Sequence, residues 1–160
     1  MTFLRFVMLL SIALWLGALI FFPFVAQTSF SSLPSNGAGV VVRGSLIELH
    51  WIGMACGVIF LICSAAYNRM LLGRARPFAA SHIFVLLMVG LTAVSQFVII
   101  PKMDVLRLAT GEIGSLPTGS PVRAQFDSLH AWSVRIEGIV LVLGLIVLYS
   151  VARRFSSFRT

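Results

Sequence analysis

Charged side chains are scarce in this chain. They make up 11% of its 160 residues, where a soluble domain carries roughly a quarter. Acidic groups are scarcer still, with 5 Asp and Glu against 12 Lys and Arg. This deficit excludes an ordinary soluble domain and points to an integral membrane protein with one domain. Cysteine is confined to Cys56 and Cys63, which lie in one apolar span. Their spacing corresponds to about 10 Å along a helix axis, so no disulfide joins them. Both read as small packing residues, and no redox compartment follows. No Cys-x-x-Cys, His-Glu-x-x-His, phosphate loop or hydrolase turn occurs. Ser133 stands three residues from His130, a spacing that reads as a helix–helix contact and not as a nucleophile with its base.

What the chain has in abundance is apolar sequence, 59% of all residues with a mean hydropathy of +1.01. The apolar runs predict an all-α, four-helix transmembrane bundle with spans near residues 5–26, 46–67, 78–100 and 130–152. The first run follows Arg5. It is expected to be retained as a span, because it is long for a signal peptide and Phe21-Phe22-Pro23-Phe24 is a poor approach to a cleavage site. Trp15 and Gly17 fall in the middle of this span, so Trp15 is expected to pack against another helix. Pro23 is expected to bend or end the helix. Gly53 and Gly57 form a small-xxx-small spacing that lets a second helix approach closely.

Between the spans, residues 27–45 are rich in Ser, Gly, Pro and Asn and read as a loop. Residues 68–77 read as a short loop carrying Arg69, Arg74 and Arg76, with Pro77 in the first turn of the next helix. Pro101 closes the third span. Residues 101–129 form a longer connection in which residues 103–109 are mildly amphipathic and continue the helix, and residues 111–120 turn. Ser120-Pro121 reads as an N-cap followed by a first helical position, so the last helix begins well before its apolar part.

The arginines sit at the ends of apolar segments and not on one soluble face, which argues against nucleic acid as a partner. Arg5, Arg69, Arg74, Arg76, Arg153, Arg154 and Arg159 fall on the side of the termini, against Arg43, Lys102, Arg107 and Arg123 on the other. Positive charge accumulates on the cytoplasmic side, so both termini are expected there and the loops 27–45 and 101–129 outside.

On that topology the polar residues gather in the outer half. His50 and His130 lie at similar depth, each beside a tryptophan, Trp51 and Trp132, of the kind found at headgroup level. Gln96, Glu48, Asp127, Arg135 and Glu137 are on the same side, while His82 lies at the cytoplasmic end. Asp127, His130 and Glu137 fall within an arc of about 80° on one helix face, with Arg135 about 140° from His130. Arg135 is expected to snorkel outward or to pair with an acid on a neighbouring helix, Glu48 being the obvious candidate. Three readings remain open. The leading one is a structural polar network of Glu48, Gln96, Arg135 and Glu137. The second is a haem b or copper site, with His50 and His130 as axial or metal ligands and Asp127 and Glu48 completing a metal set. The third is a proton or ion relay, weakened by the lack of polar groups in the cytoplasmic half.

Trp15-Leu16-Gly17 leading to Phe21-Phe22, the run from Gln96 to Pro101, and Phe126-x-x-x-His130-x-x-Ser133 resemble the transmembrane protein 205-like family. The resemblance implies a small four-span membrane protein without an assigned activity. That family is in turn distantly similar to copper-resistance D-type proteins and to four-span haem-binding oxidases of protoporphyrinogen. Arg135 and Glu137, which follow, are not matched to the family pattern. The resulting expectation is an integral membrane protein of the bacterial inner membrane, non-enzymatic, serving as an accessory subunit to other membrane subunits in the lipid bilayer.

Overall fold

The computed structural model describes residues 2–72, 80–117 and 119–156. Helix α1 runs Thr2–Ser32 and α2 runs Ser35–Leu72. Helix α3, Ala80–Val94, passes through one wide turn, Ser95–Ile99, directly into α4, Ile100–Thr110. Helix α5 runs Pro121–Ser156. No strand occurs among the described residues. The four rods Thr2–Ser32, Ser35–Met70, Ala80–Thr110 and Pro121–Arg154 are each long and apolar enough to cross a membrane. At 31 residues the shortest is about 46 Å long, against about 30 Å for the hydrocarbon core, so every rod projects beyond it.

Those projections correct the loop assignments. Residues 27–45 are not a loop: α1 continues to Ser32 and α2 begins at Ser35. Only Leu33 and Pro34 break the helix. The Leu33 N–H closes on the Ser29 carbonyl at 3.0 Å, and the Ala38 N–H opens α2 on the Pro34 carbonyl at 2.9 Å. Proline suits that position because no donor is needed there. The serines that suggested a loop turn back on their own helix, Ser29 Oγ donating to the Val25 carbonyl and Ser31 Oγ to the Thr28 carbonyl. Pro23 lies inside α1 without ending it. In 101–129, helix persists to Thr110 and resumes at Pro121. Gly111 ends α4 in the left-handed region, φ 74°, a conformation that favours glycine, with its N–H on the Arg107 carbonyl at 2.8 Å. In 68–77, α2 extends to Leu72; Arg74, Arg76 and Pro77, and the start of the third span at residue 78, lie outside the described residues, as does Arg159.

Each helix buries one stripe. On α5 it is Ser133, Ile136, Val140, Val147 and Val151, at steps of three, four and seven; on α1 it is Met8, Ile12, Trp15, Leu16 and Leu19. Lipid tails are as apolar as these side chains, so close packing and polar contacts hold the rods together, and not removal from water. The tightest join is α1 on α2. Trp15 is fully buried, lying against Gly53 and Gly57 as the small-xxx-small spacing predicts. A Cβ on Gly53 would strike the indole nitrogen of Trp15, and one on Gly57 would strike Val89. Gly144 of α5 admits Leu16 in the same way, where a Cβ would come within 2.6 Å. Cys56 and Cys63 are both free thiols.

The termini share one end of the bundle, where Arg5 of α1 meets Tyr67 of α2 and Arg154 of α5 meets Asn68. We call this the termini end, and the opposite one, with Arg43 and Asp104, the far end. Gly53→Leu is expected to destabilise the protein by about 1–3 kcal/mol, as overpacking does. Gly90→Ala, where a Cβ meets nothing within 4 Å, is expected to be neutral or mildly stabilising; thermal unfolding in mild detergent distinguishes the two.

Candidate functional site: a buried histidine beside an apolar cavity

His50 is buried completely. In lipid an imidazole cannot find water, so both its nitrogens need protein partners. They have them. Nδ1 lies 2.8 Å from Gln96 Oε1, and Nε2 lies 2.8 Å from Glu137 Oε1. The three side chains come from α2, the wide turn after α3, and α5.

The wide turn has a local cause. In a regular α-helix the ring of Pro101 would press on the carbonyl of Phe97 and leave it without a donor. Here the turn opens by one residue, and the Ile100 N–H bonds the Ser95 carbonyl, five residues back. Gln96 sits in this turn. The proline that seemed to end the third span therefore shapes the segment holding a ligand of His50.

The hydrogen-bond roles follow from the donor inventory. With its carbonyl facing the ring, Gln96 Oε1 can only accept, so Nδ1 carries a proton. Nε2 then faces a carboxyl oxygen at hydrogen-bond distance. Either an imidazolium donates to a carboxylate or a carboxylic acid donates to an imidazole. In both forms the pair is neutral overall and one proton lies between His50 and Glu137, which suits a low-dielectric site.

The other carboxyl oxygen, Glu137 Oε2, is buried and has no hydrogen-bond partner. Glu137 lines a cavity of about 700 Å³ between α1, α2, α4 and α5 at the far end. Leu19, Phe22, Ile100, Met103 and Leu141 make apolar wall, and His130 and Ser133 join Glu137 on the α5 side. Nearer the end of the bundle, Arg43 holds Asp104 through two guanidinium nitrogens. Arg107 lies over the Phe126 ring at 5.1 Å. Asp104 and Arg107, i and i+3 on the amphipathic segment 103–109, were legible as one helix face but were not singled out as site residues.

The sequence candidates are thus divided. His50, Gln96 and Glu137 are joined. His130 and Asp127 line the cavity from exposed positions and make no hydrogen bond or ion pair among the described residues. Glu48 is exposed and outside the cavity lining. Arg135 is exposed too and stacks on Trp132 at 5.3 Å, so the expected Glu48–Arg135 pair does not form. As placed, His50 offers no free ring nitrogen to haem iron or copper, since Gln96 and Glu137 occupy both. Among the described residues no three His, Cys, Asp or Glu side chains converge to hold a metal ion. His50, His130, Asp127 and Glu48 therefore do not fit a haem or metal set in this arrangement.

A family model described as a domain of unknown function (DUF4149) matches residues 10–112. That stretch includes His50 and Gln96 but stops before α5 and Glu137. No curated protein and no solved structure matches the chain. None of the comparisons supports the likeness to transmembrane protein 205-like or copper-resistance D-type proteins.

Glu137→Leu, which leaves His50 Nε2 buried without a partner, is expected to cost about 3 kcal/mol. Glu137→Gln keeps a hydrogen-bonding group there and is expected to cost less than half of that. Glu48→Gln and Arg135→Gln should change stability by about 0.5 kcal/mol or less. Unfolding of the four variants in detergent checks the order.

Proposed function

The chain belongs to the family of the domain of unknown function DUF4149, and we propose that it is a small, non-enzymatic membrane protein that holds an amphiphilic molecule in its far-end cavity. The observation that carries this reading is Glu137, which lines a largely apolar cavity of about 700 Å³ and has one carboxyl oxygen, Oε2, that is buried without a hydrogen-bond partner. Cavities of this size, apolar with a few convergent polar groups, are the usual form of a small-molecule site. The occupant has an apolar body lying along Leu19, Phe22 and Leu141, and a hydroxyl or amine that donates to Glu137. Behind Glu137, His50 fixes the carboxyl group. The arginine bias supports a topology with both termini in the cytoplasm, and on that topology the cavity belongs to the outer half of a bacterial inner membrane. In this reading the protein serves as an accessory subunit of a larger membrane complex, since its helices leave little polar surface for independent chemistry.

One observation favours a second reading. The single proton between His50 and Glu137 is of the kind that intramembrane relays use. Against a full path stands the apolar stripe below it, with Val140, Val147 and Val151 on α5. The haem or copper alternative requires His50 to leave one of its two partners, and the resemblance to the transmembrane protein 205-like family adds no residue-level support to it.

Gly138 lines the cavity, and a Cβ there meets nothing within 4 Å. Gly138→Leu is therefore expected to keep the fold and fill the space. Organic extracts of protein purified in mild detergent, read by mass spectrometry, should contain one amphiphile in near-stoichiometric amount from the wild type and several-fold less from Gly138→Leu. Equal extracts would contradict the reading.

A further inference from the structure

The far-end cavity carries cations toward the end of the bundle. Arg107 of α4 and Arg123 of α5 both line it. Each spends one nitrogen on a backbone carbonyl. Arg107 Nη1 donates to the Gly39 carbonyl at 3.4 Å, and Arg123 Nη1 donates to the Leu116 carbonyl at 2.8 Å. A guanidinium carries five N–H groups, so most donors on both remain unspent. Neither arginine makes an ion pair among the described residues. Arg43, the third arginine of the lining, differs, because Asp104 takes two of its nitrogens.

Both free arginines are half-buried, and Arg107 is also fixed in place. Its guanidinium lies over the Phe126 ring at 5.1 Å and against Gly39, where a Cβ would come within 3.4 Å of Nη2. A fork held this way loses little further freedom when a ligand binds. Backbone donors line the same cavity. The first bond of α2 runs from the Ala38 N–H to the Pro34 carbonyl. The N–H groups of Ser35 and Asn36, two residues of the lining, therefore have no acceptor within the helix. The acids nearby do not pair with these cations. Asp104 is held by Arg43, while Glu112 and Asp127 are exposed, where water and salt screen them.

This cationic end stands well away from Glu137. Arg123 and Glu137 are fourteen residues apart on α5, about 21 Å along its axis. We propose, resting on the reading that an amphiphile occupies the cavity, that the occupant is a long-chain molecule with an oxyanion head. The head, a carboxylate or a phosphate, is bound by Arg107 and Arg123. The hydroxyl or amine that meets Glu137 lies near the opposite end of its chain. Guanidinium forks match both oxyanions through paired N–H bonds.

The test titrates the protein in a non-ionic detergent with hexadecanol, hexadecanoate, hexadecyl phosphate and ω-hydroxyhexadecanoate, and reads binding by native mass spectrometry. The ω-hydroxy acid should bind about tenfold or more tighter than hexadecanol. Of the two simple oxyanions, the tighter one identifies the head group. Arg107→Gln and Arg123→Gln should each weaken the oxyanions about tenfold and leave hexadecanol unchanged. Arg107→Lys keeps the charge and loses the fork, so a smaller loss there serves if Arg107→Gln proves unstable. Lys102→Gln removes an exposed charge at the same end, outside the lining, and should change nothing. If hexadecanol binds as tightly as the ω-hydroxy acid and Gly138→Leu abolishes both, the cavity reading stands and the oxyanion head is overturned. An equal loss in Lys102→Gln and Arg107→Gln overturns it too. Binding of none of the four probes contradicts both readings.

Discussion

A fully buried imidazole in an apolar bundle needs partners for both nitrogens, and the arrangement of three helices answers that need. His50 of α2 draws Gln96 and Glu137 to within 2.8 Å on either side. The helices cannot slide or rotate far without stranding one of these groups where no water can replace it. Apolar packing between membrane helices is permissive by comparison, because lipid offers nearly the same contacts. The polar join therefore sets register at the level of His50. The wide turn created by Pro101 is part of that join, since it carries Gln96.

Elsewhere the bundle is asymmetric, and the asymmetry separates packing from binding. Around Trp15 the glycines of α2 remove every obstacle, so α1 and α2 meet without space between them. Toward the far end the helices leave a cavity of about 700 Å³. One carboxyl group spans the two regimes. Glu137 lines the open space, turns one oxygen to His50 and leaves the other buried without a partner.

Much of this was legible in the residues. The four spans follow from hydropathy. Trp15 in mid-span and the Gly53–Gly57 spacing predicted the join that forms. Helix lengths were not legible, because serine and glycine suggest loops by composition, whereas Ser29 and Ser31 bond back to their own helix. Of the two courses open to Arg135, the outward one is taken and the pair with Glu48 does not form, for a geometric reason. Glu48 is two residues from His50 and Arg135 two from Glu137, which is about 200° around a helix in each case. Once His50 and Glu137 face inward together, Glu48 and Arg135 must face away. Equal depth likewise placed His50 and His130 together, but depth says nothing of direction around the axis, and His130 ends exposed while His50 is buried. Arg107 and Arg123 escaped notice as cavity residues because the arginines were read only as markers of topology.

His50 and Glu137 share one proton, and Gln96 fixes the other nitrogen. Nitrogen-15 magnetic resonance of histidine-labelled protein in bilayers addresses this arrangement directly, and with 3 histidines in the chain assignment is tractable. One histidine is expected to show a protonated Nδ1 and a strongly hydrogen-bonded Nε2, slow to exchange with solvent, whose Nε2 signal moves in Glu137→Gln and not in Glu48→Gln. A His50 that exchanges freely between tautomers, with a spectrum indifferent to Glu137, would contradict it.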